Sequence, residues 1–493
     1  MAFYQDAAKV LDQLDLKQGS LKGLVLGHNL GQKGGPGGPR GNDPANKKRL
    51  LALVCETLRY KAVLHEVIDQ SRLLVDEKKL NRNLAAVLCH DLLFGKGIGA
   101  AGKWKPLITK HQTRLRAELV KYKVRHGIKN NADLVPREIR EMAVLPRYVR
   151  VNTNKTTLEA MIAHFTRSGF HQVEGMPAEK KAFALDAHIP NLLVFSASSG
   201  MDWFRSPLVA EGQLILQDKA SCMPAYVLQP PPEAHVMDGC AAPGNKTSHA
   251  SALMGNTGRI FAFDQDARRC KTLEFMTQRA GCTNITTHHQ SFFDADPQDP
   301  QYAQVTHILL DPSCSGSGIV NRLDALHESQ PAHPAPAAAA PAGGGRGRGR
   351  RGRGPRPSAG AAPSTPSTPS APAASHEAVG EHEHEGEGGA QDAAGRVAEL
   401  ATFQRDILLH AMKFSAVTHI SYSTCSIHDA ENEDVVAAVL AANADFECAP
   451  MPVLNDWSRR GHDRYPFGRH VVRCMPEDAT NGFFVALFKR KTV

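Results

Sequence analysis

The stretch EAHVMDGCAAPGNKTSHASALMGNTGRIFAFDQDARR (Glu233–Arg269) constrains the fold more than any other part of the chain. It reads strand, tight loop, helix, strand. Val236 and Met237 end a first strand with Asp238 at its carboxyl edge, and CAAPGN follows as a loop of small residues. Lys246, Thr247 and Ser248 open a helix whose apolar positions include Ala250 and Leu253, and GRIFAF carries the chain to Asp264. From Glu211 onward strands and helices alternate in this way, which predicts an open α/β domain.

The loop also narrows the ligand. Small residues let a backbone approach a bound molecule closely. Asp264 lies 20 residues after Gly244, the spacing at which a Rossmann-like unit presents a carboxylate to ribose hydroxyls. G-x-G-x-x-G is missing, which disfavours a dinucleotide, and G-x-x-x-x-G-K is missing, which disfavours a P-loop. A nucleoside without a polyphosphate suits the loop, and S-adenosylmethionine fits that description. The plainer alternative is a turn whose Gly and Pro serve geometry, with Asp264 solvated or capping a helix.

Two further stretches repeat the form. VTHILLDPSCSGSG (Val305–Gly318) runs an apolar strand into Asp311 and a loop bearing Cys314, and THISYS (418–423) runs into Cys425. Open α/β sheets bind ligands beyond the carboxyl ends of their strands. Asp238, Asp264, Asp311, Cys314 and Cys425 all fall there on this reading. An ordinary thiol is only a few per cent ionised at neutral pH and is still strongly nucleophilic. The acidic residues after Cys425 would not lower its pKa, and Glu431 and Glu433 read as first-turn helix residues favoured by the dipole.

The other cysteines, among ten in all, form no Cys-x-x-Cys pair, so no zinc site of standard spacing is expected and no metal is assigned. A net charge of +8 permits nucleic-acid binding without requiring it. No apolar run approaches the ~20 residues needed to span a bilayer, and the first residues look like neither a signal peptide nor a transit peptide, so a soluble intracellular protein with no membrane partner is expected.

Residues 1–141 are expected to form a helical domain with a flexible Gly-rich loop at 31–46. Leu50, Val54, Leu58, Val63, Leu64 and Val67 recur at helical spacing; the region either packs or contacts RNA. Residues 142–210 read as a small β-α module in which Thr157 caps a helix with Leu158, Met161, Ile162 and Phe165 as its stripe. Arg147, Arg150 and Lys155 meet phosphates there or decorate a solvated strand edge. Residues 211–493 form the α/β domain, interrupted by 328–395, whose Ala, Pro, Gly, Ser, Arg and Glu cannot bury a core.

MDGCAAPGNKTSHAS, LLDPSCSGSG, YSTCSIHDAENEDVV and LILQDKASCMPA together resemble the Nop/Sun-domain RNA cytosine carbon-5 methyltransferases. QGSLKGLV and LALVCETLRY look most like the eukaryotic large-subunit rRNA branch. The resemblance implies a fold: a Rossmann-like class I methyltransferase domain of α/β type, an N-terminal helical domain and a small α+β RNA-binding module. It also implies roles. Cys425 would be the nucleophile, Cys314 would assist breakdown of a covalent adduct, and Asp311 would face both the base and the cofactor. Asp238 and Cys240, Ala241, Ala242, Pro243, Gly244, Asn245 and Lys246 would cradle S-adenosylmethionine, Asp264 would hold its ribose, and Lys219 would organise the pocket unless it is a surface lysine. Family members usually carry an acidic residue where Ser291 stands, so either Ser291 substitutes or Asp294 takes over.

The chemistry explains the thiol. Carbon 5 of a pyrimidine is a poor nucleophile until a thiolate adds at carbon 6 and makes it enamine-like. A carboxyl group near ring nitrogen 3 would then stabilise developing charge. The expected product is 5-methylcytosine in large-subunit rRNA, made by a monomer in the nucleolus. The alternatives are the same reaction on tRNA or mRNA, and an rRNA-binding assembly factor with little catalysis.

Overall fold

A computed structural model describes residues 2–16, 21–27, 44–95, 97–99, 102–140, 144–320 and 389–491. The expected Gly-rich loop and low-complexity insert lie outside these residues except at their ends. Residues 44–46 open a helix, as a proline at the first helical position favours, and 389–395 open another.

The helical region comprises α1 (Ala2–Asp15), α2 (Leu21–Gly27), α3 (Pro44–Arg59), α4 (Lys61–Gln70), α5 (Leu73–Asp76), α6 (Arg82–Leu93), α7 (Trp104–Lys110), α8 (Gln112–Arg125) and α9 (Arg137–Arg140). The stripe Leu50, Val54, Leu58, Val63, Leu64 and Val67 is buried in their shared core. Asn81 starts α6 by accepting the Leu84 N–H at 2.7 Å, and residues 83–90 of that helix are all buried, which makes it the centre of the packing.

A five-stranded sheet follows. Its elements are β1 (Arg147–Val151), α10 (Leu158–Arg167), β2 (His171–Gln172), β3 (Ala182–Leu185), β4 (Leu192–Phe195), α11 (Pro207–Ala210) and β5 (Leu214–Leu216), with strand order β2-β3-β4-β1-β5. The boundary expected at 210 is therefore too early. Val149 pairs with Leu216 and Val151 with Leu214, so the sheet runs to 216. Thr157 caps α10, whose Met161 and Phe165 are buried against Phe183 and Phe195.

The larger sheet belongs to α12 (Lys219–Leu228), β6 (His235–Asp238), α13 (Asn245–Leu253), β7 (Arg259–Asp264), α14 (Ala267–Arg279), β8 (Ile285–His289), β9 (Val305–Leu310), α15 (Gly389–Ala411), β10 (His419–Thr424), α16 (Glu433–Ala442), β11 (Phe446–Cys448), β12 (Val472–Cys474) and β13 (Phe483–Arg490). Strand order is β11-β13-β10-β9-β6-β7-β8, with β12 also against β13. Strands β6 to β10 pair in parallel and β13 runs antiparallel to β10. The chain builds outward from β6 to β8 and then returns to the other side of β6 as β9. Strand order reverses between β6 and β9, and the crevice above such a reversal is where open α/β sheets bind ligands. Among the described residues no helix is long and apolar enough to cross a membrane.

Candidate active site

The glycine loop after β6 is held from below by Asp238. Its carboxylate accepts the Thr247 hydroxyl at 2.7 Å and the Cys240 N–H at 3.3 Å, and burial pushes its pKa up to about 7. Asp238, expected among the cofactor residues, is thus spent on the loop's own shape. Gly244 takes φ +101°, a conformation that favours glycine, and a Cβ there would stand 3.0 Å from Leu273 Cδ1. Ala241 donates to the Phe263 carbonyl at 2.9 Å and Gly244 to that of Ala241 at 2.8 Å, and the Ala242–Pro243 peptide is cis. The loop therefore closes over the end of β7 and delivers Asn245 and Lys246 as the first turn of α13. The N–H groups of such a turn have no acceptor within the helix and suit an anion.

Asp264 ends β7 with its side chain 4% exposed. One carboxylate oxygen accepts the Asp266 N–H at 3.0 Å; the other lies 3.2 Å from Arg269 Nη2, which also donates to the Ala242 carbonyl at 2.9 Å. Arg269 ties the acidic residue to the loop, and the reading of the sequence missed it. Ser291 is half-buried and caps the turn Phe292–Asp294 by accepting the Phe293 N–H at 3.3 Å, whereas Asp294 is exposed.

Strands β9 and β10 are parallel neighbours with Leu310 opposite Tyr422, so the loops that leave them begin side by side. The sulfurs of Cys314 and Cys425 are 3.0 Å apart. The loops are pinned by backbone: Gly318 N–H donates to the Cys425 carbonyl at 2.9 Å and Gly482 N–H to the Gly318 carbonyl at 2.7 Å. A Cβ on Gly318 would lie 2.3 Å from the Gly482 oxygen, so this crossing tolerates no side chain. Hydrogen bonding from the Cys314 thiol draws the Cys425 pKa below the ordinary thiol value, with Lys246 assisting, against burial and the charge of Asp311. The same bond pushes Cys314 up, burial adding to it.

Asp311 joins the two halves of the site. One of its oxygens lies 2.7 Å from Lys246 Nζ and the other accepts the Ser423 hydroxyl at 2.6 Å. Lys246, expected in the cofactor cradle, thereby links the glycine loop to the cysteine loops.

Other expectations need correction. Lys219 is buried, but its ammonium lies 2.7 Å from Asp186 and 2.9 Å from His188 Nδ1, over the Trp457 ring; the contacts of the thiol pair come from other residues. Arg150 is no phosphate contact. It is 1% exposed and donates to Gln217 at 2.8 Å and to the Ser248 hydroxyl at 3.0 Å, bracing α13 from the small sheet. Lys155 is engaged with the Glu211 carbonyl at 2.8 Å, while Arg147 is exposed. Glu431 does not lie in the first turn of the helix. It sits fully buried in a 3-10 turn before α16 and binds the Cys314 loop. Glu433 does open α16, but it too is buried, against Arg473.

A sheet that reverses its order above a glycine loop, with an acidic residue ending the next strand, defines a Rossmann-like α/β domain built to hold a nucleoside, and the similarities that follow make it a class I methyltransferase. A family model described as 16S rRNA methyltransferase RsmB/F matches residues 225–334 and 390–489. Models for the N-terminal and ferredoxin-like domains of NOL1/NOP2/Sun domain family member 5 match 48–135 and 145–217. The chain is 40% identical to a 28S rRNA (cytosine-C(5))-methyltransferase of Mus musculus over all of its own length and 92% of the relative's. It is 37% identical to the 25S rRNA (cytosine-C(5))-methyltransferase rcm1 of Schizosaccharomyces pombe over 99% of its length and 91% of the relative's. The crystal structure of PH0851 shares the fold at TM-score 0.57 and 20% identity, covering 91% of each chain. The chain belongs to the Nop/Sun-domain RNA cytosine carbon-5 methyltransferase family, in its eukaryotic large-subunit rRNA branch.

Proposed function

We propose that this protein methylates carbon 5 of a cytosine in large-subunit rRNA, using S-adenosylmethionine and a transient bond between Cys425 and carbon 6 of the base. The observation that carries the reading is the pair of sulfurs 3.0 Å apart beside the Lys246–Asp311 ion pair. The residues present suit the cofactor. Asp264 offers a carboxylate to ribose, and the first turn of α13 offers N–H groups to the carboxylate of an amino acid. When bound, S-adenosylmethionine supplies an electrophilic methyl group.

The chain's own residues do the rest. With Cys314 as the donor in the sulfur–sulfur contact, the thiolate is favoured on Cys425, which adds at carbon 6. The π electrons shift toward carbon 5, where the new carbon–carbon bond forms. The Lys246–Asp311 pair lies beside the ring as its charge changes. Once the Cys425 sulfur is bonded to carbon, the hydrogen bond that raised Cys314 is gone. Cys314 must first pass its own proton to water; as thiolate it takes the carbon-5 proton, the C–H electrons re-form the carbon 5–carbon 6 double bond, and the carbon–sulfur bond breaks to return Cys425 as thiolate. The target base must leave its stack to reach this site.

The test is transfer of labelled methyl from S-adenosylmethionine to large-subunit rRNA, tRNA and mRNA. Transfer to a single rRNA cytosine, lost in Cys425→Ala, is expected. No transfer to any RNA, or full transfer by Cys425→Ala, would refute the reading, and transfer only to tRNA or mRNA would move the substrate.

A further inference from the structure

Besides the backbone and hydroxyl contacts that tie the two cysteine loops to each other, two adjacent buried residues outside them each grip one loop. Glu431 holds the first loop. Its Oε1 accepts the Ser315 backbone N–H at 2.8 Å and Gln404 Nε2 at 3.1 Å, and its Oε2 accepts the Ser315 hydroxyl at 2.5 Å. Gln404, on α15, also donates to the Ser313 carbonyl at 2.9 Å, so Cys314 is fixed on both sides. Asn432 holds the second loop in the same manner. Its Oδ1 accepts the Thr424 hydroxyl at 2.5 Å and its Nδ2 donates to the Ser426 carbonyl at 3.0 Å, bracketing Cys425. Tyr422, on β10, anchors the pair to the sheet by donating to the Glu431 carbonyl at 2.6 Å. Glu431, Asn432 and Gln404 are all completely buried. A carboxylate has about four acceptor sites and takes these three donors at once, which an amide oxygen in its place would not.

We propose that Glu431 and Asn432 are positioning residues that, with the direct contacts between the loops, hold the Cys314 and Cys425 sulfurs at their distance, one residue for each loop. This rests on the reading of Cys425 as nucleophile and adds what places it. Sub-ångström placement matters here, because a shift of about 1 Å at a reacting group can cost about 100-fold in rate.

The test is made on the full chain with Glu431→Ala, Glu431→Gln and Asn432→Ala. Alkylation of Cys425 by iodoacetamide is followed by peptide mass spectrometry across pH, without RNA. In Glu431→Ala and Asn432→Ala the midpoint should rise by about one pH unit, and alkylation at pH 7 should fall about 10-fold. The kcat for rRNA should fall about 100-fold with KM and cofactor affinity unchanged, and Glu431→Gln should recover part of both effects. Wild-type midpoints and kcat in folded variants would overturn the proposal. If Glu431→Ala does not fold, Ser315→Ala, which removes the hydroxyl's bond to Glu431 together with its contacts to Ser317 and Ser426, should still raise the midpoint, and a wild-type profile there would overturn it. Because alkylation is read without RNA, retention of methyl transfer by Cys425→Ala would refute the nucleophile assignment and leave this result standing on its own.

Discussion

Asp238 and Asp264 end neighbouring strands and both are buried, yet their partners separate their work. Asp238 is buried, so its charge has no water to stabilise it and its pKa is pushed up to about 7, against the hydrogen bonds from Thr247 and the Cys240 N–H that favour the charge. That value lies above the ordinary carboxylate value of about 4. Folding therefore takes up a proton between the two, and the stability linked to Asp238 is complete below about pH 4 and lost as pH rises through about 7. Asp238→Asn should gain on the wild type by roughly 2–4 kcal/mol across that window, read from thermal melts at a series of pH values. Parallel curves would contradict it. Arg150 and Arg147 lie three positions apart on one strand and should behave oppositely. Arg150→Ala leaves Gln217 and Ser248 without their donor and should cost about 2 kcal/mol in Tm measurements. Arg147→Glu should leave Tm unchanged.

Among the elements, the cysteine loops depend on contacts no local pattern reveals. The strands that end at Asp238, Asp264, Leu310 and Thr424 were legible because each apolar run stops where small or acidic residues begin. That both thiols follow the carboxyl ends of strands came from the same signal; that the two strands are neighbours is seen in their pairing. Glu431 was not legible. Its partner Ser315 is 116 residues away, across the insert, and an acidic residue before a helix looks the same whether it is solvated or buried. Arg150 was misread because a strand's alternation does not say whether a neighbouring helix covers a polar tip, and β5 was missed because three residues carry too little pattern. The Gly318–Gly482 crossing is a further contact of this kind. Gly482→Ala would put a Cβ 2.7 Å from Gly318 Cα, pushing the Cys314 loop from Cys425. A drop of about 100-fold in kcat is expected with cofactor affinity intact, measured by single-turnover methyl transfer and cofactor titration.

Across the whole molecule, the reversal of strand order at β6 and β9 gathers residues from loops far apart in the chain. The low-complexity segment 328–395 falls in sequence between β9 and β10, and these strands pair as parallel neighbours all the same. Arg147 lines two cavities. One of about 500 Å³ it shares with Lys48 and Trp203, and one of about 260 Å³ with Gln217, Asp218, Val320 and Asn481. The first joins the N-terminal helices to the small sheet, and the second runs toward the cysteine loop. RNA phosphates passing this face would meet Arg147 and Lys48. The double variant Lys48→Glu, Arg147→Glu should lower the slope of log affinity against log salt by about 2 for large-subunit rRNA, with Tm unchanged. An unaltered slope would place the RNA elsewhere.

The mechanism turns on which sulfur attacks the base. In RNA carrying 5-fluorocytidine at the target position, carbon 5 has no proton to lose after methyl transfer, so the adduct persists. Digestion of the wild-type complex and mass spectrometry of the modified peptide should find the nucleotide on Cys425. A nucleotide on Cys314, or no covalent complex in a preparation that methylates ordinary RNA, would contradict it.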